Sequence, residues 1–375
     1  VRLGFGSELV NYQRSSCADW CLDALGEDLA DYPRGVDVNG WRLNAQPHLG
    51  LDISAPGYFL RPDVAWDFTQ YALRSAGPDD PDPTRSLPVV SIDSGLKFER
   101  LQGQNDARTI TLEPRAMYVY IPYRDQNDLP LFDTATPDPN LIELFRPNRY
   151  VGVDRIGDAN QVTLGLTSEM FSTATGSRYL SATIGQSLYF TPPRVTLPGE
   201  TLGTHNSGLI GQINLAAYRN WNVLLDAASN AAVSRIEQAQ AQLQYRASGA
   251  QVANIGYQYR DGQFEQLSAS AAWPLLDHWD VYARAVYSLL DHASIEDFAG
   301  FQYRGACWGL RIVWQRSVST RTGERDTGVA VQLELTGLSN VGSQVDTFLQ
   351  QTIRGYSPAT DRTATGRMGA APPVP

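Results

Sequence analysis

Residues 236–248 read Ile-Glu-Gln-Ala-Gln-Ala-Gln-Leu-Gln-Tyr-Arg-Ala-Ser, and this stretch decides the fold class. Side chains of a β-strand point alternately to two faces, so the stretch predicts a strand with unlike faces. One face carries Gln238, Gln240, Gln242, Gln244 and Arg246, and the other carries Ala239, Ala241, Leu243 and Tyr245. A soluble sandwich would bury the apolar face in a core. A barrel in lipid would show it to acyl chains and turn the Gln face to a wet lumen.

The same two-residue period runs along the chain, and helical periodicity is nearly absent. In 306–318, Trp308, Leu310, Ile312, Trp314 and Val318 face opposite to Arg311, Gln315 and Ser317. In 328–337, Val329, Val331, Leu333 and Leu335 face opposite to Gln332, Glu334 and Thr336. We predict about sixteen strands, at 5–14, 39–54, 58–75, 87–100, 109–124, 160–175, 177–193, 207–219, 221–234, 236–248, 251–262, 264–277, 279–291, 293–305, 306–318 and 328–337.

The connectors between these strands alternate between long and short. The long ones are 15–38, 76–86, 125–159, 194–206 and 319–327, and the short ones include Ala55-Pro56-Gly57, Leu276-Asp277-His278 and Gly305-Ala306. Tight turns on one side and long loops on the other are typical of outer-membrane barrels. Trp221, Trp279 and Trp308 stand beside short turns, where an interfacial aromatic girdle would lie. We therefore predict an all-β chain, an antiparallel transmembrane outer-membrane β-barrel.

The amino-acid composition argues against several classes of function. The chain has 375 residues and a formal net charge of -10, with 42% hydrophobic and only 19% charged residues. No run of about 18 apolar residues occurs, which excludes a membrane-spanning helix but not a spanning strand. Because phosphate binding requires clustered Lys and Arg, the acidic balance argues against a nucleic-acid partner.

Catalytic and metal motifs are weak. His48, His205, His278 and His292 form no H-E-x-x-H pattern, and no G-x-S-x-G or P-loop stands in a fitting context. We therefore expect no enzymatic activity, no cofactor and no metal site.

Three cysteines, Cys17, Cys21 and Cys307, leave at least one without a partner inside the chain. Cys17 and Cys21 are four residues apart in a long loop, which favours a local disulfide over a metal pair. Cys307 lies in a short turn on the periplasmic side. It is either a small buried hydrophobe or a disulfide partner in an oxidising compartment. The chain begins Val-Arg-Leu within a strand-like run, with no initiator Met or signal peptide, so we expect a fragment.

Several long motifs resemble one family. The segment LFRPNRYVGVDRIGDANQVTLGLTS at 144–168 resembles the most characteristic stretch of the LptD family of lipopolysaccharide-assembly proteins. In family order along the chain are also GSELVNYQR (6–14), LEPR (112–115), YIPYRDQND (120–128), GQSLYF (185–190), WPLLDHW (273–279), FQYRGACW (301–308) and ELTGLSNVG (334–342). The resemblance covers nearly the whole chain, but lacks the family's N-terminal periplasmic domain and first barrel strands.

The resemblance implies a barrel of about 26 strands, plugged by a lipoprotein, LptE. Lipopolysaccharide would arrive over a periplasmic bridge through the missing N-terminal domain and leave sideways between the first and last strands. In this chain the last strand would be 328–337, with Gly328, Val329, Val331, Leu333 and Leu335 at the lateral gate.

The resemblance also implies that loop 125–158 folds inward and touches the plug. Its candidate contact residues are Arg124, Asp125, Arg149, Asp154 and Arg155. Cys307 matches a position where the family has adjacent cysteines bonded to the N-terminal domain. Trp308 replaces the second of them here, so at most one such bond remains.

We thus expect residues 1–342 to be the C-terminal portion of the barrel, and 343–375 a partly disordered periplasmic tail. The expected function is insertion of lipopolysaccharide into the outer leaflet of the cell outer membrane. The main alternative is a general diffusion porin, whose loops only constrict a pore. A soluble all-β binding protein is a third class, which membrane fractionation would separate from the other two.

Overall fold

The computed structural model describes residues 1–13, 39–74, 82–103, 107–218, 220–233, 235–248, 251–318, 324–335 and 339–357. By internal contacts the chain divides into two compact units. The first unit comprises 1–176, 182–211 and 228–235, and the second comprises 177–181, 212–227 and 236–375.

The described chain is almost entirely β-strand. Its strands are β1 (Arg2–Tyr12), β2 (Gly40–Gly50), β3 (Ile53–Ala55), β4 (Tyr58–Leu73), β5 (Thr84–Leu96), β6 (Phe98–Gln102), β7 (Arg108–Ile121), β8 (Ala159–Ser172), β9 (Arg178–Tyr189), β10 (Ile210–Tyr218), β11 (Trp221–Asn230), β12 (Arg235–Ser248), β13 (Gln251–Arg260), β14 (Phe264–Leu276), β15 (Trp279–Ser288), β16 (Ala293–Arg304), β17 (Trp308–Val318), β18 (Arg325–Leu335) and β19 (Ser339–Gly342). Two short helices are present, α1 (Leu141–Leu144) and α2 (Val345–Thr352). Each predicted strand overlaps an observed one, so the all-β antiparallel class is confirmed.

In the first unit, β1, β2, β4, β5, β7 and β8 pair in chain order, each antiparallel to the next. The short β3 continues the line of β2 along β4, and β6 continues β5 along β7. Two residues connect β3 to β4, whereas residues 122–158 connect β7 to β8 at the opposite strand end. Within this unit the predicted contrast between short turns and long loops is therefore confirmed.

The strands of the first unit have one apolar and one polar face. On β4, Val64 and Trp66 are about half exposed, whereas Ala65 between them and Asp67 and Thr69 beyond them are buried. Exposed Ile92 and Leu164 extend the apolar surface over β5 and β8. We call this the outer face, because a barrel in a membrane turns its apolar side to lipid, and we call the opposite side the inner face.

In the second unit, β12 to β18 form a meander in which each strand is antiparallel to the next. Trp221, Trp279 and Trp308 each begin a strand directly after a short turn and are about 40% exposed. Trp279 packs on Phe301 and Tyr303, with ring centroids 5.5 and 5.0 Å away. An aromatic band at the short-turn end is the arrangement expected at a membrane interface.

Helix α2 packs on the inner face of the second unit. Val345, Leu349 and Ile353 are completely buried, or nearly so, in one apolar cluster with strand residues. The strand side of this cluster comprises Val252, Ala272, Tyr282, Phe298 and Val313. Residues 343–357 are thus a packed element of the second unit, whereas the domain division at residue 342 stays a prediction. No helix in the described ranges is long and apolar enough to cross a membrane.

Candidate functional site

The inward loop, residues 122–158, lies against the inner face of the first unit. Asp154 in this loop has no solvent exposure. One carboxylate oxygen accepts hydrogen bonds from Arg42 Nη1 at 2.6 Å and from the Tyr71 hydroxyl at 2.9 Å. The other accepts from the backbone N–H groups of Phe132 and Asp133 at 2.8 and 2.9 Å. Asp154 therefore joins two strands of the wall to both arms of the loop.

Arg42 is the wall residue at the centre of this contact. Its side chain is 1% exposed and pairs with Glu8 at 2.6 Å and with Asp133 at 2.7 Å, besides Asp154. A buried guanidinium is tolerated only when carboxylates surround it in this way. Hydrogen bonding from Arg42 holds the pKa of Asp133 well below its ordinary value. Asp133 is therefore anionic at neutral pH.

Arg85 on β5 makes a second buried anchor. Its Nη2 donates to Asp67 at 2.7 Å, to Thr69 at 3.0 Å and to the carbonyl of Val153 at 2.7 Å. Its Nη1 donates to the Gln126 side chain and to the carbonyl of Asp154. One guanidinium thus bonds two strand residues and both ends of the loop. The planar guanidinium can do this because its N–H groups point in several fixed directions.

Of the predicted plug-contacting residues, Asp154 and Arg155 are buried within the loop anchor. Arg155 is 3% exposed, and it donates to the carbonyls of Leu129 and Pro130. Burial lowers the pKa of Arg155 from its ordinary value. Arg149 donates to the carbonyls of Asp158 and Val195. Asp154, Arg155 and Arg149 therefore all make hydrogen bonds that hold the loop to itself, to the wall or to the segment around Val195.

The remaining two predicted residues, Arg124 and Asp125, are exposed. Ile142, on α1, is 79% exposed. Its neighbours Leu144 and Phe145 lie over Gly185 and Gly165 of the wall, where a side chain on either glycine would clash with them. The helix is thus seated on the wall through one side, while Ile142 points away from it. The sequence analysis did not single out Ile142.

Strand β18 carries the predicted gate residues. Val329, Val331 and Leu333 are 65%, 44% and 37% exposed, whereas Gln332 between them is 4% exposed. This confirms the predicted alternation. The strand pairs with β17 along its whole length, from Val318↔Arg325 to Trp308↔Leu335. On the other edge β19 pairs with β18 only from Gln332 to Leu335. In the part of the chain that the structure describes, residues 325–330 pair with β17 alone, whereas the carbonyl of Val331 also accepts a hydrogen bond from the N–H of Ser343.

Cys307 lies in the turn between β16 and β17 and is an exposed free thiol in this chain. The exposed setting excludes the reading of a small buried hydrophobe. Its predicted bond to another domain stays a prediction. Cys17 and Cys21 lie outside the described residues.

Sequence reasoning missed Arg42, Arg85, Asp67 and Asp133. A usable signal was present, because Arg42 stands between Trp41 and Leu43, and Asp67 between Trp66 and Phe68. A charge flanked by large apolar residues in a strand faces away from the apolar side, where it needs a partner. Within the described ranges no three His, Cys, Asp or Glu side chains are placed to hold a metal ion.

The family model described as "LptD: LPS transport system D" matches residues 1–279. An LPS-assembly protein LptD of Nitrosococcus oceani is 38% identical over 324 residues, which covers 85% of this chain and 44% of that protein.

The chain belongs to the LptD family.

A second LptD relative, from Thiobacillus denitrificans, is 36% identical over 339 residues, covering 90% of this chain and 46% of that protein. The chain thus spans less than half the length of these relatives. A solved structure of P. aeruginosa FpvA bound to heterologous pyoverdines is 9% identical and covers 82% of this chain and 53% of its own. Its TM-score of 0.25 is too low to support a conclusion. As an LptD family member the chain is an outer-membrane β-barrel protein, in a family named for transport and assembly.

Proposed function

We propose that this chain is part of an outer-membrane translocon that inserts lipopolysaccharide into the outer leaflet through a lateral gate. The proposal rests on one observation: in this member of the LptD family, the two edges of β18 differ in how completely they are paired. One edge is fully paired with β17, whereas residues 325–330 of the other edge have no strand partner among the described residues. In the full-length barrel this edge would meet the first strand.

A lateral gate of this kind suits the physical task. Lipopolysaccharide has a large polar sugar part, which needs a polar path, and acyl chains, which need an exit into lipid. Each backbone hydrogen bond broken in the hydrocarbon region costs several kcal/mol, because no water replaces it. A seam with few bonds is therefore much easier to open than a full ladder. The exposed Val329, Val331 and Leu333 would contact acyl chains during exit.

The inward loop would seat a plug lipoprotein of the LptE kind. Its buried anchors, Arg42 with Asp154 and Arg85 with Gln126 and the carbonyl of Val153, fix the loop to the wall without help from a partner. Exposed Arg124, Asp125 and Ile142 then remain as candidate contacts. A largely exposed Ile on a rigid loop is the type of residue that anchors a protein interface.

The alternative, a general diffusion porin, needs an open aqueous pore. In the first unit the inward loop covers the inner face, and in the second unit α2 covers it. These packed segments favour a plugged translocon. Liposome swelling separates the two functions, because only a porin would admit small solutes rapidly.

The gate is tested by locking the seam. A cysteine is placed at Val329 in the full-length protein and crosslinked to the facing position of the first strand. We expect complete crosslinking to abolish the appearance of lipopolysaccharide at the cell surface, and a reductant to restore it. If surface lipopolysaccharide and growth are unchanged with the seam fully crosslinked, the exit lies elsewhere.

A further inference from the structure

After β18 the chain runs back as β19 along the edge of β18 that does not face β17, and it then crosses to the inner face of the second unit as α2. Strand β19 pairs with β18 from Leu335↔Ser339 to Gln332↔Gly342, and the N–H of Ser343 donates to the carbonyl of Val331 at 2.9 Å. Gly342 has a φ of 108°, and a Cβ there would stand 2.4 Å from the Val331 carbonyl oxygen. Only glycine therefore permits this crossing over the strand edge.

The first turn of α2 is bonded to the inner side chains of the last two strands. Asp346 accepts a hydrogen bond from Arg311 of β17 at 2.6 Å, and its backbone N–H donates to the Gln332 side chain of β18 at 3.1 Å. Arg311 is 2% exposed and also pairs with Glu334 of β18 at 3.1 Å. Asp346 thus completes a buried charge cluster that joins α2, β17 and β18.

The end of the same segment is bonded to strands farther along the second unit. Arg284 of β15 donates to the carbonyl of Thr352 at 2.6 Å. The carbonyl of Arg354 accepts from Gln244 of β12 at 2.9 Å and from Asn254 of β13 at 3.2 Å. Because Gln244 is therefore covered and only 9% exposed, that part of the predicted wet Gln face is dry.

We infer that residues 339–357, the C-terminal segment, are a positioning element that fastens β18 to the wall and confines lateral opening to residues 325–330. The inference rests on the proposed function, because it concerns how the gate strand is held. It follows from two independent features. Strand β19 occupies the edge of β18 from Gln332 to Leu335. The rest of the segment ties the inner face of β18 to β15 and β17 through α2, and to β12 and β13 through the carbonyl of Arg354.

This arrangement makes the two sides of the seam unequal. On the β18 side the strand is held at an edge, at a face and through its full ladder with β17. Opening would then occur by movement of the opposite strand along a short stretch, while β18 stays in place. The carbonyl of Val331 is already satisfied by Ser343, and β19 occupies the same edge from Gln332 to Leu335, so this stretch needs no partner from the first strand.

Hydrogen exchange of β18 in the full-length protein with its plug, in lipid nanodiscs, tests the inference. In the wild type, we expect amides of residues 332–335 to exchange at least about tenfold more slowly than those of 325–330. Two variants should release the segment. Gly342→Ala clashes with the β18 backbone, and Asp346→Asn removes the charge facing Arg311. Each should speed exchange at 332–335 on the order of tenfold or more, since a buried charge pair is broken or an edge is freed.

Two matched controls accompany these variants. Gly262→Ala also changes a glycine of positive φ, 66°, but its Cβ would meet nothing within 4 Å. Asp277→Asn removes a carboxylate from an exposed turn between β14 and β15. Both controls should leave exchange in β18 within about threefold of the wild type, because neither residue touches the C-terminal segment.

The inference is overturned if Gly342→Ala and Asp346→Asn leave exchange at 332–335 within threefold of the wild type. It is also overturned if exchange rises equally over β12 to β17, because that pattern reports general destabilisation. The exchange measurement needs no transport. A failed seam lock at Val329 would therefore refute the proposed gate while leaving the fastening of β18 intact.

Discussion

The substitution Asp154→Asn tests whether a single buried carboxylate fixes the inward loop to the wall. The amide has the same shape but only one accepting oxygen. In the native chain the two carboxylate oxygens face donors on opposite sides, namely Arg42 and Tyr71 on one side and the N–H groups of Phe132 and Asp133 on the other. Whichever way the amide turns, its NH₂ group faces donors and cannot bond them.

The size of the effect follows from these contacts. Breaking a buried charge pair usually costs about 3 to 5 kcal/mol, because the remaining charge is left without compensation. Because Arg42 keeps its bonds to Asp133 and Glu8, the cost of losing the Arg42–Asp154 pair lies at the lower end of that range. Donors that lose their acceptor cost about 1 to 3 kcal/mol each. We therefore expect the loop to be held less tightly by about 3 kcal/mol, which is roughly a 150-fold rise in its open population.

Hydrogen exchange of the loop measures this population directly. The amides of Phe132 and Asp133 donate to Asp154, so a peptide covering them should exchange about a hundredfold faster in the variant. The strand amides of β4 and β5 should keep their wild-type rates, because their ladder does not depend on the loop. Asp128→Asn, at an exposed position in the same loop, is the matched control. Exchange within threefold of the wild type at Phe132 would refute the reasoning.

Three further predictions concern the second buried anchor, the plug and the disulfide. Arg85→Lys should weaken the attachment of the loop to the wall by about 2 kcal/mol, because an ammonium cannot reach Asp67 and Gln126 together. Hydrogen exchange of the loop amides measures this loss, and an unchanged exchange rate would contradict the prediction. Ile142→Glu should reduce co-purification of the plug lipoprotein severalfold at unchanged barrel yield, whereas full plug recovery would remove α1 from the interface. Cys307→Ser in the full-length protein should change mobility on non-reducing gels, and identical mobility would count against the interdomain bond.

The strand pattern could be predicted from the sequence because its information is local. Alternation over about ten residues defines a strand and its two faces, and short turns mark where strands reverse. Val329 and Val331 therefore lie on the predicted face, and the Trp279 and Trp308 positions follow from the turns beside them. Asp154 was named from the sequence as a plug contact, whereas the structure bonds it to Arg42 and Tyr71 of the wall.

The partners of the buried charges were decided by the tertiary structure alone. Arg42 lies 112 residues from Asp154, and Arg85 lies 41 residues from Gln126. No local period relates such positions, because the contact depends on how a long loop returns to the wall. For the same reason, the packing of the C-terminal segment could not be predicted from the sequence. In sequence, Val345, Leu349 and Ile353 form one short apolar stripe, too brief to predict a stable helix.

The sequence by itself thus determined the strands, their faces, the turn ends and the family, since each rests on neighbouring residues. The tertiary structure decided which charges meet, which half of the β18 edge is covered, and where α2 packs. The physical reason is that an isolated eight-residue helix or a lone buried arginine is unstable. Each becomes favourable only when distant strands supply the apolar surface or the carboxylates that compensate it.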